Sequence, residues 1–146
     1  MLPSPENSSV ANRLKQKIIL TTCALAEKRK VYLVRPIPEI GVDVPRALAR
    51  AMILGAPREI TIPLSDYHRR NDWVWDAQDE AARRCGAVIL DPTAYLCDQE
   101  NCYGSRNLFP LYRDDDHLSD FGNKLLVPMF RQVFDDLAVS SSKGRE

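Results

Sequence analysis

The chain has 146 residues, 45% of them hydrophobic and 27% charged, with Lys+Arg and Asp+Glu balanced at 20 each and a formal net charge of +0. That length suits one domain, or part of one, with a core that needs no staples. The charge balance excludes the basic footprint of a nucleic-acid binder, and no apolar run approaches the ~20 residues of a membrane span.

The N-terminal "MLPSPENSS" is polar and rich in Pro and Ser. Residues 10–29 then read as a helix, with Asn7, Ser8 or Ser9 as cap candidates. Its expected inner face carries Val10, Leu14, Ile18 and Leu25. "LTTC" (20–23) echoes a lipoprotein cleavage box, but too few apolar residues precede it. Cys23 and Cys85 both fall on apolar helix faces and read as small buried hydrophobes.

"VYLVRPIP" (31–38) is a near-continuous apolar strand directly after a helix, the pattern of a buried parallel strand. Asp43 is the expected N-cap of the helix "VPRALARAMIL", with Pro45 in its first turn and Gly55 past its end. "EITIP" (59–63) reads as a short strand or an extended loop. Residues 66–85 read as a third helix with Tyr67, Val74, Ala77, Ala81 and Cys85 inward. Trp73 and Trp75 lie two apart, so at most one is core, and His68 reads as a solvated helix residue. "GAVILDP" (86–92) is the second clear strand.

Ser119 is the expected cap of the last helix. Phe121, Leu125, Met129 and Val133 recur every four residues there, with Leu126, Phe130 and Phe134 beside them, and Pro128 should kink the helix. The α-β-α-β-α order predicts an α/β fold with a parallel sheet and helices on its faces. Two convincing strands are too few for a whole sheet, so the chain reads as the C-terminal half of a larger domain. We expect residues 9–138 to form its ordered core and 1–8 and 139–146 to be flexible.

Two stretches carry chemistry. "YLCDQENCYGS" sets Cys97 and Cys102 five apart in a polar loop, open to three readings: a disulfide, a zinc site that recruits His117, or two free thiols. "YRDDDHLSDFG" (112–122) places three aspartates before one of only two histidines. A carboxylate three residues before a histidine can fix the ring tautomer and leave the other nitrogen to act as a general base, which makes Asp114 and His117 candidate catalytic residues. A structural reading stands beside it, in which an acidic loop caps a helix and the imidazole faces water. Arg35 and Glu39 flank the proline-rich strand end, and an ion pair there reads as structural.

Taken in order, a strand ending in Pro38-Glu39, an arginine-bearing helix, a strand ending in Asp91-Pro92, a cysteine pair and the closing Tyr-x-Asp-x-x-His-Leu-Ser with a following glycine resemble the C-terminal half of SGNH hydrolase-like domains. The match is to those fused to integral-membrane sugar acyltransferases of acyltransferase family 3, and it covers residues from about 10 to 137. The resemblance implies a flavodoxin-like α/β/α fold and transfer or hydrolysis of O-acetyl groups on a cell-surface glycan. It implies Asp114 and His117 as two members of a Ser-His-Asp triad, and a Cys97–Cys102 disulfide on the extracytoplasmic, periplasmic side. Asp115 and Asp116 receive no role from it.

One departure matters as much as the match. The family's Gly-Asp-Ser nucleophile block and its oxyanion Gly and Asn blocks are not in the chain. Gly104-Ser105 lies in the cysteine loop, and "RRND" (69–72) stands at the wrong place in the fold. The chain thus reads as a piece of a longer protein, a mis-started reading frame or a degenerate homologue. The expected partners are an acylated sugar or glycan and a missing N-terminal half or membrane acyltransferase domain, with no nucleic acid, cofactor or metal. Alone, the chain is expected to lack activity and to self-associate through an exposed sheet edge. The alternative is a non-catalytic α/β module for glycan binding or assembly.

Overall fold

The computed structural model describes residues 5–143, with side chains for residues 9–135. Contacts divide the chain into two compact units, Met1–Pro36 with Arg69–Asp91, and Ile37–His68 with Pro92–Glu146.

The first unit holds helix α1 (Pro5–Ala26), strand β1 (Tyr32–Val34), most of helix α3 (Leu64–Cys85) and strand β3 (Val88–Leu90). β1 and β3 pair in parallel, with Tyr32 opposite Val88 and Val34 opposite Leu90. The parallel α/β pairing follows the expected pattern, but full burial of the strands does not. Tyr32 and Leu33 are half-buried and Val34 is exposed. Gln78 holds the strand end by donating from Nε2 to the Val34 carbonyl at 2.9 Å.

The core of this unit is small: Ile19, Ala77, Ala81, Ala87 and Leu90, with Thr22. The expected inner face of α1 is therefore corrected. Ile19 and Thr22 are buried, whereas Val10, Leu14 and Leu25 are exposed. α1 also starts at Pro5, so Asn7, Ser8 and Ser9 lie within it and do not cap it. Cys23 and Cys85 are not buried lone thiols. They are half-buried and joined as a disulfide with Cα atoms 5.0 Å apart, tying α1 to the end of α3.

Arg35 follows β1 and is 8% exposed. Its guanidinium lies 3.7 Å above the Trp75 ring, pairs with Asp79 at 2.6 Å, and has Asp91 at 3.8 Å. A buried guanidinium needs such partners, because an uncompensated charge there is costly. Trp75 is half-buried under this cation and Trp73 is exposed, so neither indole is core.

The second unit begins with helix α2 (Val44–Ile53). Asp43 caps it as expected, its Oδ1 accepting from the Arg46 amide at 3.0 Å. Gly55, at φ 68, lets the chain leave the helix in a left-handed turn. "EITIP" does contain a strand, β2 (Thr61–Pro63), but it pairs antiparallel with β4 (Asn101–Tyr103) of the cysteine loop and takes no part in the parallel pair. Between them in sequence lies the short helix α4 (Thr93–Leu96). β5 (Ser105–Arg106) and β6 (Phe109–Pro110) form a hairpin.

Ser119 caps α5 (Asp120–Leu125) as expected, accepting from the Gly122 amide at 3.1 Å. The chain breaks at Leu126 and resumes as α6 (Val127–Lys143), so Pro128 sits in a first turn, where proline is tolerated, and the anticipated kink becomes a helix boundary. Leu126 and Met129 are buried, but Phe121, Phe130 and Phe134 are exposed, so only part of the expected stripe faces the core. That core gathers Ile40, Val44, Leu48, Tyr67, Leu96, Cys102, Leu111 and Tyr112. Of the ends expected to be flexible, residues 1–4 and 144–146 lie outside the described residues, while 5–8 and 139–143 continue α1 and α6.

Candidate active site

The 112–118 segment is a tight loop closed on itself. Tyr112 and Leu118 form an antiparallel bridge, and the Arg113 amide donates to the His117 carbonyl at 2.9 Å. Two further bonds anchor it: Ile40 N–H to the Asp115 carbonyl at 2.8 Å, and Val44 N–H to the Asp114 carbonyl at 3.2 Å. Tyr112 is fully buried, and its phenol oxygen has no hydrogen-bond partner. Burial, with Tyr67 nearby, pushes that phenol well above its ordinary pKa.

Asp114 organises the loop. Its Oδ1 accepts from the backbone N–H of His117 at 2.7 Å and of Asp116 at 3.1 Å. Its Oδ2 lies 3.0 Å from His117 Nδ1 in a hydrogen bond. The Asp114 carboxyl is lowered below its ordinary value, first by the backbone bond from His117, then by the Asp116 amide and the imidazole. A carboxylate fixed by two amides cannot swing away from the ring it orients. With Nδ1 directed to Asp114, Nε2 is the nitrogen left for proton transfer.

Sequence reasoning gave Asp116 no role, yet its Oδ1 lies 2.7 Å from the same Nδ1. No spacing rule signals this, because the approach depends on how the loop turns back. The ligand atoms of Asp114, Asp116 and His117 lie within 4.8 Å of one another, a spacing that a divalent cation can also use. Asp115 is tied in through its carbonyl, which accepts from the Ile40 amide. His117 opens onto a cavity of about 470 Å³, lined also by Ile37, Arg113, Leu118, Leu126 and Phe130.

The two serines that could stand in for a missing nucleophile are both committed elsewhere. Ser105 is fully buried, donates to the Glu59 carboxylate, and accepts from the Ile60 amide at 2.9 Å. Ser119 caps α5 and donates to the Pro110 carbonyl at 3.0 Å. The cysteine loop closes through a Cys97–Cys102 disulfide with Cα atoms 3.9 Å apart. Asp98 caps that loop, accepting from the amides of Glu100 and Asn101 and from the Tyr103 hydroxyl. His68 packs edge-on against Tyr67 at 5.4 Å, half-buried and not freely solvated.

Residues 3–132 match the family described as "SGNH domain (fused to AT3 domains)", and the chain belongs to that family. Membership makes it a module of the acyltransferase or esterase type, with a membrane acyltransferase as its partner domain. No curated protein and no solved structure matches the chain. Among the described residues no helix is long and apolar enough to cross a membrane.

Proposed function

We propose that the chain is the C-terminal portion of a serine-type O-acyltransferase or esterase domain that acts on O-acetyl groups of a cell-surface glycan at the extracytoplasmic side of a bacterial membrane. His117 is its general base and Asp114 the carboxylate that orients it. The observation that supports this reading is the Asp114 carboxylate, held by two backbone amides while hydrogen-bonded to Nδ1 at 3.0 Å.

The chemistry follows from that geometry. His117 Nε2 takes the proton of a serine hydroxyl as its oxygen attacks the acyl carbonyl, and returns it to the departing alkoxide. A sugar hydroxyl then attacks the acyl-serine for transfer, or water does for hydrolysis, by the same proton route in reverse. The serine comes from sequence that this chain does not contain, since Gly-Asp-Ser is absent and Ser105 and Ser119 serve structure. That last observation favours one second reading for the chain by itself, a non-catalytic glycan-binding or assembly module.

The test extends the coding sequence upstream to include a Gly-Asp-Ser segment and measures p-nitrophenyl acetate hydrolysis. The extended protein should turn over the ester and lose this activity in His117→Ala, while the 146-residue chain stays at background. Turnover by the extended protein that survives His117→Ala would overturn the proposal.

A further inference from the structure

Phe109 and Phe121 are conspicuous because they are outside. They are 65% and 46% exposed, yet their rings sit 6.1 Å apart, tilted by 51°. Together they line a groove of about 540 Å³ with Arg113, Asp120 and Asn123. That volume falls in the roughly 300–1,000 Å³ range of small-ligand sites. The groove shares Arg113, Leu118 and Asn123 with the cavity onto which His117 opens, so the two adjoin.

The backbone beneath Phe109 is a second, independent observation. Asn107 and Leu108 both have positive φ, 51° and 63°, in the two-residue turn between β5 and β6. Such a turn favours Asn at its first position and Gly at its second, so Leu108 is strained. Glu59 holds it in place: one carboxylate oxygen accepts from the Leu108 amide at 3.0 Å, the other from the buried Ser105 hydroxyl. The hairpin tip is therefore pinned, and Phe109 follows it directly in the chain.

The lining decides what fits. Phenyl faces take the C–H face of a pyranose ring, while an amide, a guanidinium and a carboxylate take its hydroxyls. One cation and one anion in the groove leave no net demand for a charged ligand. An apolar protein segment laid there would strip water from Arg113, Asp120 and Asn123 without replacing their hydrogen bonds. We propose that Phe109 and Phe121 form a sugar-stacking subsite, with Arg113, Asp120 and Asn123 bonding the hydroxyls, that seats a neutral pyranose of the glycan beside His117. It rests on the glycan reading above and names the residues that read the sugar.

The test is saturation-transfer NMR and calorimetry on the full chain, with a panel of neutral hexasaccharides built from glucose, galactose, mannose, rhamnose or N-acetylglucosamine. At least one should bind. Affinity should fall at least tenfold in Phe109→Ala and in Phe121→Ala, and persist in Phe109→Trp, which keeps an aromatic face. Both phenylalanines are exposed, so the alanine variants should keep the wild-type circular dichroism spectrum; should either fail to fold, the comparison of wild type with Phe109→Trp and the other alanine variant still decides. No binding by any panel member, or binding unchanged in the alanine variants, overturns the subsite. So does an alanine variant that turns a self-associated chain monomeric while sugar binding stays intact, since the face would then be packing against a second copy. The triad reading fails separately, through ester turnover that survives His117→Ala in the extended protein.

Discussion

Gly122→Ala is a sharp test of how the loop carrying His117 is held. A Cβ at residue 122 would overlap the Leu111 carbonyl oxygen and come within 3.0 Å of Leu118 Cδ2. Leu111 is fully buried, and its carbonyl already accepts from the Ser119 amide at 2.8 Å. The obstacle is backbone and cannot rotate away, so α5 must lift or the 111–119 bond must break. Overpacking of this kind costs about 1–3 kcal/mol, and contact with backbone belongs at the upper end. Replacing a helical glycine returns roughly 0.5–1 kcal/mol. The net loss is about 2 kcal/mol, which at this chain length lowers Tm by roughly 6–8 °C. Thermal unfolding followed by circular dichroism measures it, with Asp120→Ala, an exposed neighbour, as the reference substitution. A Gly122→Ala chain that melts within 1 °C of wild type, or above it, would refute the packing argument.

In the extended, serine-bearing protein, Asp114→Asn should cut p-nitrophenyl acetate turnover by about 10²–10⁴-fold, because it removes the charge that orients the ring, whereas Asp116→Asn should cost less than tenfold; the opposite ranking would move the orienting role to Asp116, whose carboxylate is the nearer to Nδ1. EDTA should leave that turnover unchanged, and a loss restored by Zn²⁺ would assign Asp114, Asp116 and His117 to a cation. Asp114 is lowered in the folded chain, so its contribution is present above the ordinary carboxylate value of about 3.9 and is lost as pH falls through its folded value; the His117 amide should stay protected from exchange between pH 7 and about 4, and loss of that protection near pH 6 would contradict this. Intact mass after alkylation of non-reduced, exported protein should show no labelled thiol, and Cys23→Ser with Cys85→Ser should destabilise more than Cys97→Ser with Cys102→Ser, since chain entropy gives about 4 kcal/mol for the long loop against about 2 for the short one.

Local rules made parts of this protein legible in its sequence. Asp43 and Ser119 cap their helices because a side-chain oxygen need only reach an amide three residues on, a contact the sequence spacing itself defines. Asp114 and His117 meet for the same reason, three residues apart in one turn. The order of motifs from Pro38-Glu39 to Gly122 likewise carried the family. What stayed hidden depends on partners distant in the chain. β2 is a strand because β4 lies antiparallel to it, and nothing within "EITIP" names that partner. α1 turns Ile19 and Thr22 inward and leaves Val10, Leu14 and Leu25 exposed, a choice of face that its own apolar spacing does not define. Cys23 pairs with a cysteine 62 residues away, where an apolar helix face had suggested an isolated thiol. Asp116 reaches the imidazole, and Leu108 accepts a left-handed backbone, only because Asp115 and Glu59 anchor those loops to other elements. Capping and i,i+3 contacts are fixed by covalent connectivity, whereas strand partners, buried faces, cross-links and strained turns are settled by whichever distant segments the folded chain brings against them.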